Sequence, residues 1–366
     1  MVGHVNSSLT GLSTIRASNA QDMIIKEFDR YQDQFTSAHY MLDNSLIALS
    51  FSLELFSALF ITSIIVQFLA TDFGPSVGDV GLAINQAFAI SEIISNGIRV
   101  IADTENLMTS VERILEYVRL EQEDKHGSFI DHWPTTGAID FANISLNYGG
   151  KKDMLKDISF KINPKENLGI VGRTGAGKSS IISSLLRLYQ INGTVTIDGI
   201  DTKIVSLKCL RSSISVIPQD PFLFSGTIRD NLDPLNKYTD DQIWQVLSEL
   251  RLKQVIGDLG LVVDKGSTLS SGQKQLLCLA RVILRKNKII ILDEATANVD
   301  QETDRMIHDA VWKNFAESTV ITIAHRLLSV LDCDRVIVMK NGQVSECDQP
   351  QIMLQNKSSF FHSIVK

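Results

Sequence analysis

A glycine-rich segment between two apolar runs is the feature that most limits how this chain can fold. Residues 172–179 fit the phosphate-binding pattern G-x-x-x-x-G-K-[ST]. Residues 168–171 are apolar, as a buried strand requires, and residues 179–188 have the periodicity of an amphipathic helix. Backbone N–H groups at a helix N-terminus bind phosphate. Strand, loop and helix together therefore predict an α/β nucleotide-binding domain.

The residues of this loop divide the work of holding a triphosphate. We expect the N–H groups of Gly175 to Ser179 to contact phosphate oxygens and Lys178 to reach the β and γ phosphates. Downstream, residues 288–292 form an apolar strand that ends in Asp293 and Glu294. Ser179 and Asp293 are predicted to hold Mg²⁺, and Glu294 to polarise the attacking water as general base. The alternative for Glu294 is a carboxylate that caps the next helix.

Several short motifs occur along one stretch of the chain, and together they resemble the ATP-binding cassette (ABC) ATPases over residues 138–366. Besides the loop and the Asp293–Glu294 strand, they are residues 269–273 (Leu-Ser-Ser-Gly-Gln), Gln219 after Val-Ile-Pro, residues 297–300 (Ala-Asn-Val-Asp), and residues 322–326 (Thr-Ile-Ala-His-Arg). The resemblance implies an α/β P-loop ABC ATPase domain, with a mixed sheet and a helical subdomain, preceded by all-α transmembrane helices.

The resemblance also assigns roles to individual residues. Glu294, His325 and Gln219 are the expected catalytic residues, and Gln219 joins Ser179 and Asp293 as a residue that senses Mg²⁺. An aromatic ring at Tyr148 is expected to stack on adenine. The full set of expected nucleotide contacts is Tyr148, Gly172, Arg173, Thr174, Gly175, Ala176, Gly177, Lys178, Ser179, Ser180, Ser270, Ser271, Gly272, Gln273 and Asp300. Taken alone, His325 reads as a strand-end histidine and Tyr148 as strand packing.

The signature segment, Ser270 to Gln273, implies a partner. In ABC proteins it faces the ATP of the opposite cassette, so that two domains enclose two nucleotides. One cassette therefore implies a second nucleotide-binding domain. Ser271 stands where the common signature has Gly, and its side chain could crowd the opposing phosphate.

The N-terminal third of the chain predicts membrane helices. Residues 55–71 carry no formal charge and, with residues 45–53, approach the roughly 20 residues that cross a bilayer. The alternative is a buried core helix interrupted by Glu54. A second, weaker candidate is residues 80–101, whose apolar residues are punctuated by Asn and Gln side chains and Glu92, and Gly74-Pro75 supplies the turn between them. We therefore expect a partial transmembrane domain over residues 1–119, with helices about 45–71 and 78–101, a linker over 120–137, and the nucleotide-binding domain over 138–366.

Composition excludes several classes of protein. A net charge of -7 without a basic patch argues against a nucleic-acid partner. The four cysteines have no metal-binding spacing and lie in the ATPase region, which predicts free cytosolic thiols. No secretory signal precedes the apolar segment.

Longer stretches refine the resemblance to subfamily C, the multidrug resistance-associated proteins. Residues 170–180, 218–234, 11–17 and 110–117 are similar to the second cassette and to segments around the last two membrane helices. The resemblance implies the C-terminal portion of a multi-pass protein of the plasma membrane, with a cytosolic ATPase domain and missing partner helices. ATP and Mg²⁺ are the expected cofactors, and an amphipathic organic anion, conjugate or drug is the expected substrate. Alternatives are an ATP-gated channel or channel regulator, a soluble ABC ATPase, and a truncated product without independent transport.

Overall fold

The structure, a computed structural model, describes residues 2–70, 77–123, 126–150, 153–263, 269–295, 299–324, 330–356 and 359–365. It divides into two compact units, Met1–Gln122 and Glu123–Lys366. Their boundary falls inside the segment that composition marks as a linker.

The first unit is entirely helical over its described residues. Its helices are α1 (Val2–Thr10), α2 (Leu12–Ala17), α3 (Gln21–Ala70) and α4 (Val77–Val118). The two long helices pack against each other. Helix α1 packs on the start of α3, where His4 Nε2 lies 3.5 Å from Glu27 Oε2. At 1.5 Å per residue α3 is about 75 Å long, more than twice the roughly 30 Å hydrocarbon core of a bilayer.

One of these helices is long and apolar enough to cross a membrane. Among the described residues, α3 alone satisfies both conditions. Its most apolar stretch is not covered by the described protein. The second predicted span forms a helix as part of α4, but it does not reach the same mean hydropathy. The Gly74-Pro75 turn lies outside the described residues.

The second unit contains three β-sheets in its described part. Its strands are β1 (Ile139–Leu146), β2 (Leu155–Ile162), β3 (Asn167–Gly172), β4 (Ile191–Ile197), β5 (Ile200–Asp201), β6 (Ile214–Ile217), β7 (Gly226–Thr227), β8 (Val262–Val263), β9 (Ile289–Asp293), β10 (Thr319–Ile323), β11 (Arg335–Lys340) and β12 (Gln343–Asp348). A six-stranded sheet has the order β12-β11-β3-β10-β9-β6. Five of its strands are parallel and β12 is antiparallel. An antiparallel sheet, β2-β1-β4-β5, and the pair β7-β8 complete the set.

Nine helices of the described chain surround these sheets. They are α5 (Lys178–Leu185), α6 (Leu207–Ser213), α7 (Ile228–Leu232), α8 (Asp240–Glu249), α9 (Lys253–Ile256), α10 (Ser271–Arg285), α11 (Gln301–Asn314), α12 (Pro350–Gln355) and α13 (Phe360–Val365). The predicted architecture, an α/β domain with a mixed sheet preceded by long helices, is confirmed.

Three hydrophobic clusters hold this unit together. One lies between the two larger sheets and α5, and it includes Phe141, Ile170 and Leu185. A second joins α7, α8 and α11 to α10, whose apolar face is buried almost throughout. A third surrounds Phe361 of α13, which is fully buried beside Val171 of β3. The strand that leads into the glycine loop is therefore packed on both faces.

The chain enters this unit through a hydrogen-bonded clamp. The Asp198 carboxylate accepts hydrogen bonds from the backbone N–H groups of Thr135, Thr136 and Ala138 and from both threonine hydroxyls. Trp133 is buried and its Nε1 donates to the carbonyl of Ile197. These residues of the predicted linker are thus attached to the ATPase unit.

Candidate functional site

The glycine loop connects β3 to α5 with two glycines in left-handed backbone. Gly175 and Gly177 have φ of +80° and +101°. A Cβ at Gly177 would lie 2.9 Å from Leu155 Cδ2 and 3.0 Å from the Met154 carbonyl oxygen. Only glycine therefore fits at the N-cap of α5. The loop is tied to the turn between β11 and β12, where Gly342 N–H donates to the Ala176 carbonyl at 3.1 Å.

Lys178 and Glu294 face each other across this loop. The Lys178 side chain is 6% exposed, and its Nζ donates to the Gly172 carbonyl at 2.9 Å. The same Nζ lies 3.8 Å from Glu294 Oε1. Glu294 adopts φ +48°, a conformation that costs a non-glycine residue about 1–3 kcal/mol. Its N–H donates to the Ile323 carbonyl at 2.9 Å, which helps to hold this backbone in place.

The neighbouring carboxyl group is electrostatically different from a surface aspartate. Burial raises the pKa of Asp293, the adjacent Glu294 charge raises it further, and Lys178 partly opposes the rise. Such a site favours a cation that neutralises the carboxylate. The hydroxyl of Ser179, the amide of Gln219 and the carboxyl of Asp293 supply hard oxygen donors, which suit Mg²⁺. The donor set therefore fits the metal that the sequence predicts.

A single cavity of about 400 Å³ brings these motifs together. It opens at the carboxyl ends of the parallel strands, where β3, β9 and β6 finish beside the loop. Its walls are Met154, Arg173, Thr174, Gly175, Ala176, Gly177, Lys178, Ser179, Ser180, Gln219 and Glu294. Gln219 and Glu294 follow Arg173 by 46 and 121 positions in the sequence, and all three line this one space. Ligands of α/β sheets bind at this strand edge.

Tyr148 lies after the end of β1 beside the same loop. Its hydroxyl donates to Ser180 Oγ at 3.0 Å, and the residue is 43% exposed. The ring also meets Tyr189 edge to face, with the centroids 4.5 Å apart. Tyr148 is therefore outside the strand, with ring surface free to contact a base.

The signature segment forms the start of α10. Ser270 Oγ accepts a hydrogen bond from Gln273 N, and Gln273 Oε1 accepts one from Ser270 N, so the two side chains form a capping box. Asp300 caps α11 by accepting from Thr303 N and Thr303 Oγ1. A Cβ at Gly272 would lie 3.2 Å from Thr303 Cγ2 and 3.6 Å from Asp300 Oδ1, so the two caps are neighbours.

The predicted residues thus occupy two places. Loop residues 173–180, Gln219 and Glu294 line the cavity. The predicted residues absent from its walls are Tyr148, Gly172, Asp293, Ser270, Ser271, Gly272, Gln273 and Asp300. His325 and residues 297–298 lie outside the described residues. Sequence reasoning missed Met154, which lines the cavity, and Tyr189. No local motif marks either residue, because both reach the site through contacts between distant segments.

Two comparisons with known proteins agree with this geometry. Residues 155–297 match the ABC transporter family. The chain is 44% identical over 377 residues to a "Probable multidrug resistance-associated protein" of Drosophila melanogaster, covering 99% of this chain and 27% of the relative. It is 42% identical to human ATP-binding cassette sub-family C member 4, covering 99% of this chain and 28% of the relative.

A third relative is named as an exporter. The vacuolar heme ABC transmembrane exporter of Schizosaccharomyces pombe is 39% identical over 381 residues, covering 100% of this chain and 26% of the relative. The chain spans about a quarter of the length of these curated relatives. All three similarities extend across both compact units.

Proposed function

Because this chain belongs to the ABC transporters, of the subfamily C type, we propose that it binds Mg·ATP and supplies one hydrolytic site to an ATP-driven transporter. The observation that carries the proposal is the single cavity in which the phosphate loop, Gln219 and Glu294 meet. A triphosphate in this cavity lies against backbone N–H donors and one buried ammonium group. A carboxylate faces the position of the attacking water.

The residues contribute to hydrolysis by positioning and charge. Lys178, already held by the Gly172 carbonyl, neutralises negative charge that develops on the phosphoryl oxygens. Glu294 orients the water and accepts its proton. Ser179, Gln219 and Asp293 are the residues that would hold Mg²⁺, and the ion would supply positive charge to neutralise the phosphates. The ring of Tyr148 stacks on the adenine and reads little of its edge.

A second nucleotide-binding domain completes the site. Ser270 to Gln273 begin a helix, and they are not part of the cavity formed by this chain's own loop. A helix N-terminus favours an anion. We propose that this anion is the ATP bound by a partner cassette. In turn, the signature segment of the partner contacts the ATP bound by this chain. The remaining transmembrane helices of the proposed transporter accompany this second nucleotide-binding domain.

The proposed transport substrate is an amphipathic organic anion, conjugate or drug, exported across the plasma membrane with the ATPase domain in the cytosol. The names of two relatives support export, since one is a probable multidrug resistance-associated protein and the other a vacuolar heme exporter. A channel or channel regulator is the second candidate. ATP-dependent uptake of a glutathione conjugate into inside-out vesicles by the assembled transporter supports export, and an ATP-gated current without uptake supports the channel.

The nucleotide site is tested by calorimetric titration of the chain with Mg·ATP. Lys178→Ala removes a charge-assisted contact with phosphate, and we expect the Kd to rise about ten- to a hundredfold. Lys253→Ala, at an exposed lysine of α9, is the matched control and leaves the Kd unchanged. Equal affinity of Lys178→Ala and the unaltered chain would disprove the assignment of the phosphate loop.

A further inference from the structure

Two tyrosines, rather than one, stand beside the glycine loop. Tyr148 follows β1 and Tyr189 follows α5, and the rings make a T-shaped contact at 4.5 Å with an interplanar angle of 85°. They are 43% and 49% exposed, which leaves both rings within reach of a ligand. We propose that Tyr189 is a positioning residue of the nucleobase site, which holds the Tyr148 ring ready to stack on adenine. The inference rests on the proposed function, since it concerns the same nucleotide.

The backbone that carries Tyr148 does not fix the ring by itself. Tyr148 is followed by Gly149 and Gly150, and a Cβ at either glycine would meet no atom within 4 Å. Two glycines in open space give this segment few packing restraints. The restraints on the ring come from elsewhere, through the hydroxyl bonded to Ser180 Oγ and through the ring of Tyr189.

The backbone that carries Tyr189 is well anchored. Arg187, two positions earlier, donates from its Nη1 to the carbonyls of Thr202 and Val205 at 2.9 and 3.0 Å. Arg211 donates to the carbonyls of Leu186 and Arg187 at 3.1 and 3.0 Å. These four hydrogen bonds attach the end of α5 to α6 and to the segment before it. Tyr189 is thus the fixed member of the pair, and Tyr148 is the member that it orients.

The geometry leaves stacking surface available. In a T-shaped pair the edge of one ring meets one face of the other, so at least one face of Tyr148 is not covered by Tyr189. The hydroxyl bond ends at Ser180, which is 5% exposed and lies in the cavity wall. A nucleotide whose base stacks on the open face of Tyr148 would therefore have its triphosphate directed toward the glycine loop. Fixing the ring before binding removes the entropy cost of ordering it when ATP arrives.

If Tyr189 positions the ring that stacks on adenine, its loss should weaken the binding of ATP but not the binding of a ligand that has only the phosphates. Calorimetric titrations of the full chain in lipid nanodiscs compare Mg·ATP with magnesium tripolyphosphate, which has the phosphates but no base. Tyr189→Leu should raise the Kd for ATP about two- to tenfold, the range that an aromatic pair is worth, and leave the Kd for tripolyphosphate unchanged. Tyr189→Phe keeps the ring contact and should bind ATP as the unaltered chain does.

Two controls separate this inference from the function on which it rests. Leu188→Ala truncates the exposed neighbour of Tyr189 and should change neither Kd. Lys178→Ala should weaken both ligands, and its failure to do so would refute the nucleotide site itself. If Tyr189→Leu leaves the ATP Kd unchanged, or raises both Kd values equally, the positioning role is wrong.

A double-mutant cycle gives a second, independent measurement. If Tyr189 acts through Tyr148, Tyr189→Leu should add no further loss of ATP affinity to a chain that already carries Tyr148→Leu. Losses that add would show that Tyr189 acts elsewhere, and they would overturn the inference.

Discussion

Replacing Glu294 by Gln changes one proton acceptor in a cavity whose other walls stay the same. The two side chains have nearly the same size, and the +48° backbone of Glu294 is held by its N–H bond to Ile323, which the amide variant retains. An amide cannot accept the proton of water. Loss of a general base costs about 10² to 10⁴ in rate, which is about 3–5 kcal/mol of transition-state free energy. We expect that fall in the single-turnover rate of ATP hydrolysis.

The same change should not weaken ATP binding. At the 3.8 Å that separate Lys178 Nζ from Glu294 Oε1, the attraction is about 4 kcal/mol for an effective dielectric constant of 20. The neutral amide of the Glu294→Gln variant would not compete for the ammonium group in this way, and it would not repel the γ-phosphate. The Kd for Mg·ATP should therefore stay the same or fall, while hydrolysis slows.

The assay is rapid-quench hydrolysis of radiolabelled ATP by this chain assembled with a partner chain that carries the missing helices and cassette. Glu317→Gln is the matched control, because Glu317 is 75% exposed and pairs with Lys165 at the surface. The control should keep the rate of the unaltered chain. An unchanged single-turnover rate in Glu294→Gln, or a rate loss explained wholly by weaker ATP binding, would remove Glu294 from the role of general base.

Two further predictions concern stability and the loop. Asp198→Asn should lower the free energy of unfolding by about 1–3 kcal/mol at pH 7, measured by urea denaturation, because charge-assisted hydrogen bonds from Thr136 and Ala138 are weakened. Burial opposes but does not cancel the effect of these bonds, so the pKa of Asp198 lies below its ordinary 3.8. The stabilisation by the carboxylate is therefore complete above pH 3.8. The difference in unfolding free energy between the unaltered chain and Asp198→Asn should shrink as the pH falls through the pKa of the folded state. Gly177→Ala should raise the Kd for ATP by at least about tenfold in calorimetry, since its Cβ would meet Leu155 at φ +101°, whereas Gly199→Ala, at a left-handed glycine with no atom within 4 Å of the added Cβ, should leave the Kd unchanged.

The local parts of the site were predictable from sequence. The predicted apolar strand at residues 168–171 corresponds to β3, Asn167–Gly172, and the helix expected from Ser179 begins one residue earlier, as α5. Both follow from patterns within about ten residues, an apolar run and the spacing of glycines around Lys178. The helix that precedes them is longer than the expected span of residues 45–71, because residues 21–44 contain neither Gly nor Pro and continue α3.

Contacts between distant segments were not predictable in this way. The clamp at Asp198 joins residues 60 to 63 positions apart, so composition marks residues 120–137 only as a charged and turn-forming stretch. The left-handed backbone of Glu294 has no sequence signal, since β-strands that end in carboxylates have many possible exits. No sequence pattern marks Tyr189 either, because its contact with Tyr148 depends on where α5 ends relative to β1.

The signature helix α10 joins the nucleotide site to the loop that follows Gln219. Gln275 is 1% exposed and its Nε2 donates to the carbonyl of Pro218, the residue before Gln219. One helical turn and a half later, Arg281 donates to the carbonyls of Phe222 and Asn231 at 2.8 and 2.6 Å. Partial burial lowers the pKa of Arg281, and these bonds satisfy donors of its guanidinium group.

These hydrogen bonds couple the position of the loop around Gln219 to the position of α10. The loop around Gln219 cannot shift relative to α10 without breaking bonds to the buried amide of Gln275 and the partly buried guanidinium of Arg281. Each buried group left unsatisfied costs about 1–3 kcal/mol. Moving the loop together with α10 avoids that cost. In the proposed assembly, we expect a displacement of Gln219 on binding Mg·ATP to be transmitted to Ser270 through this packed helix. The signature offered to a partner cassette would then depend on the occupancy of this chain's own site.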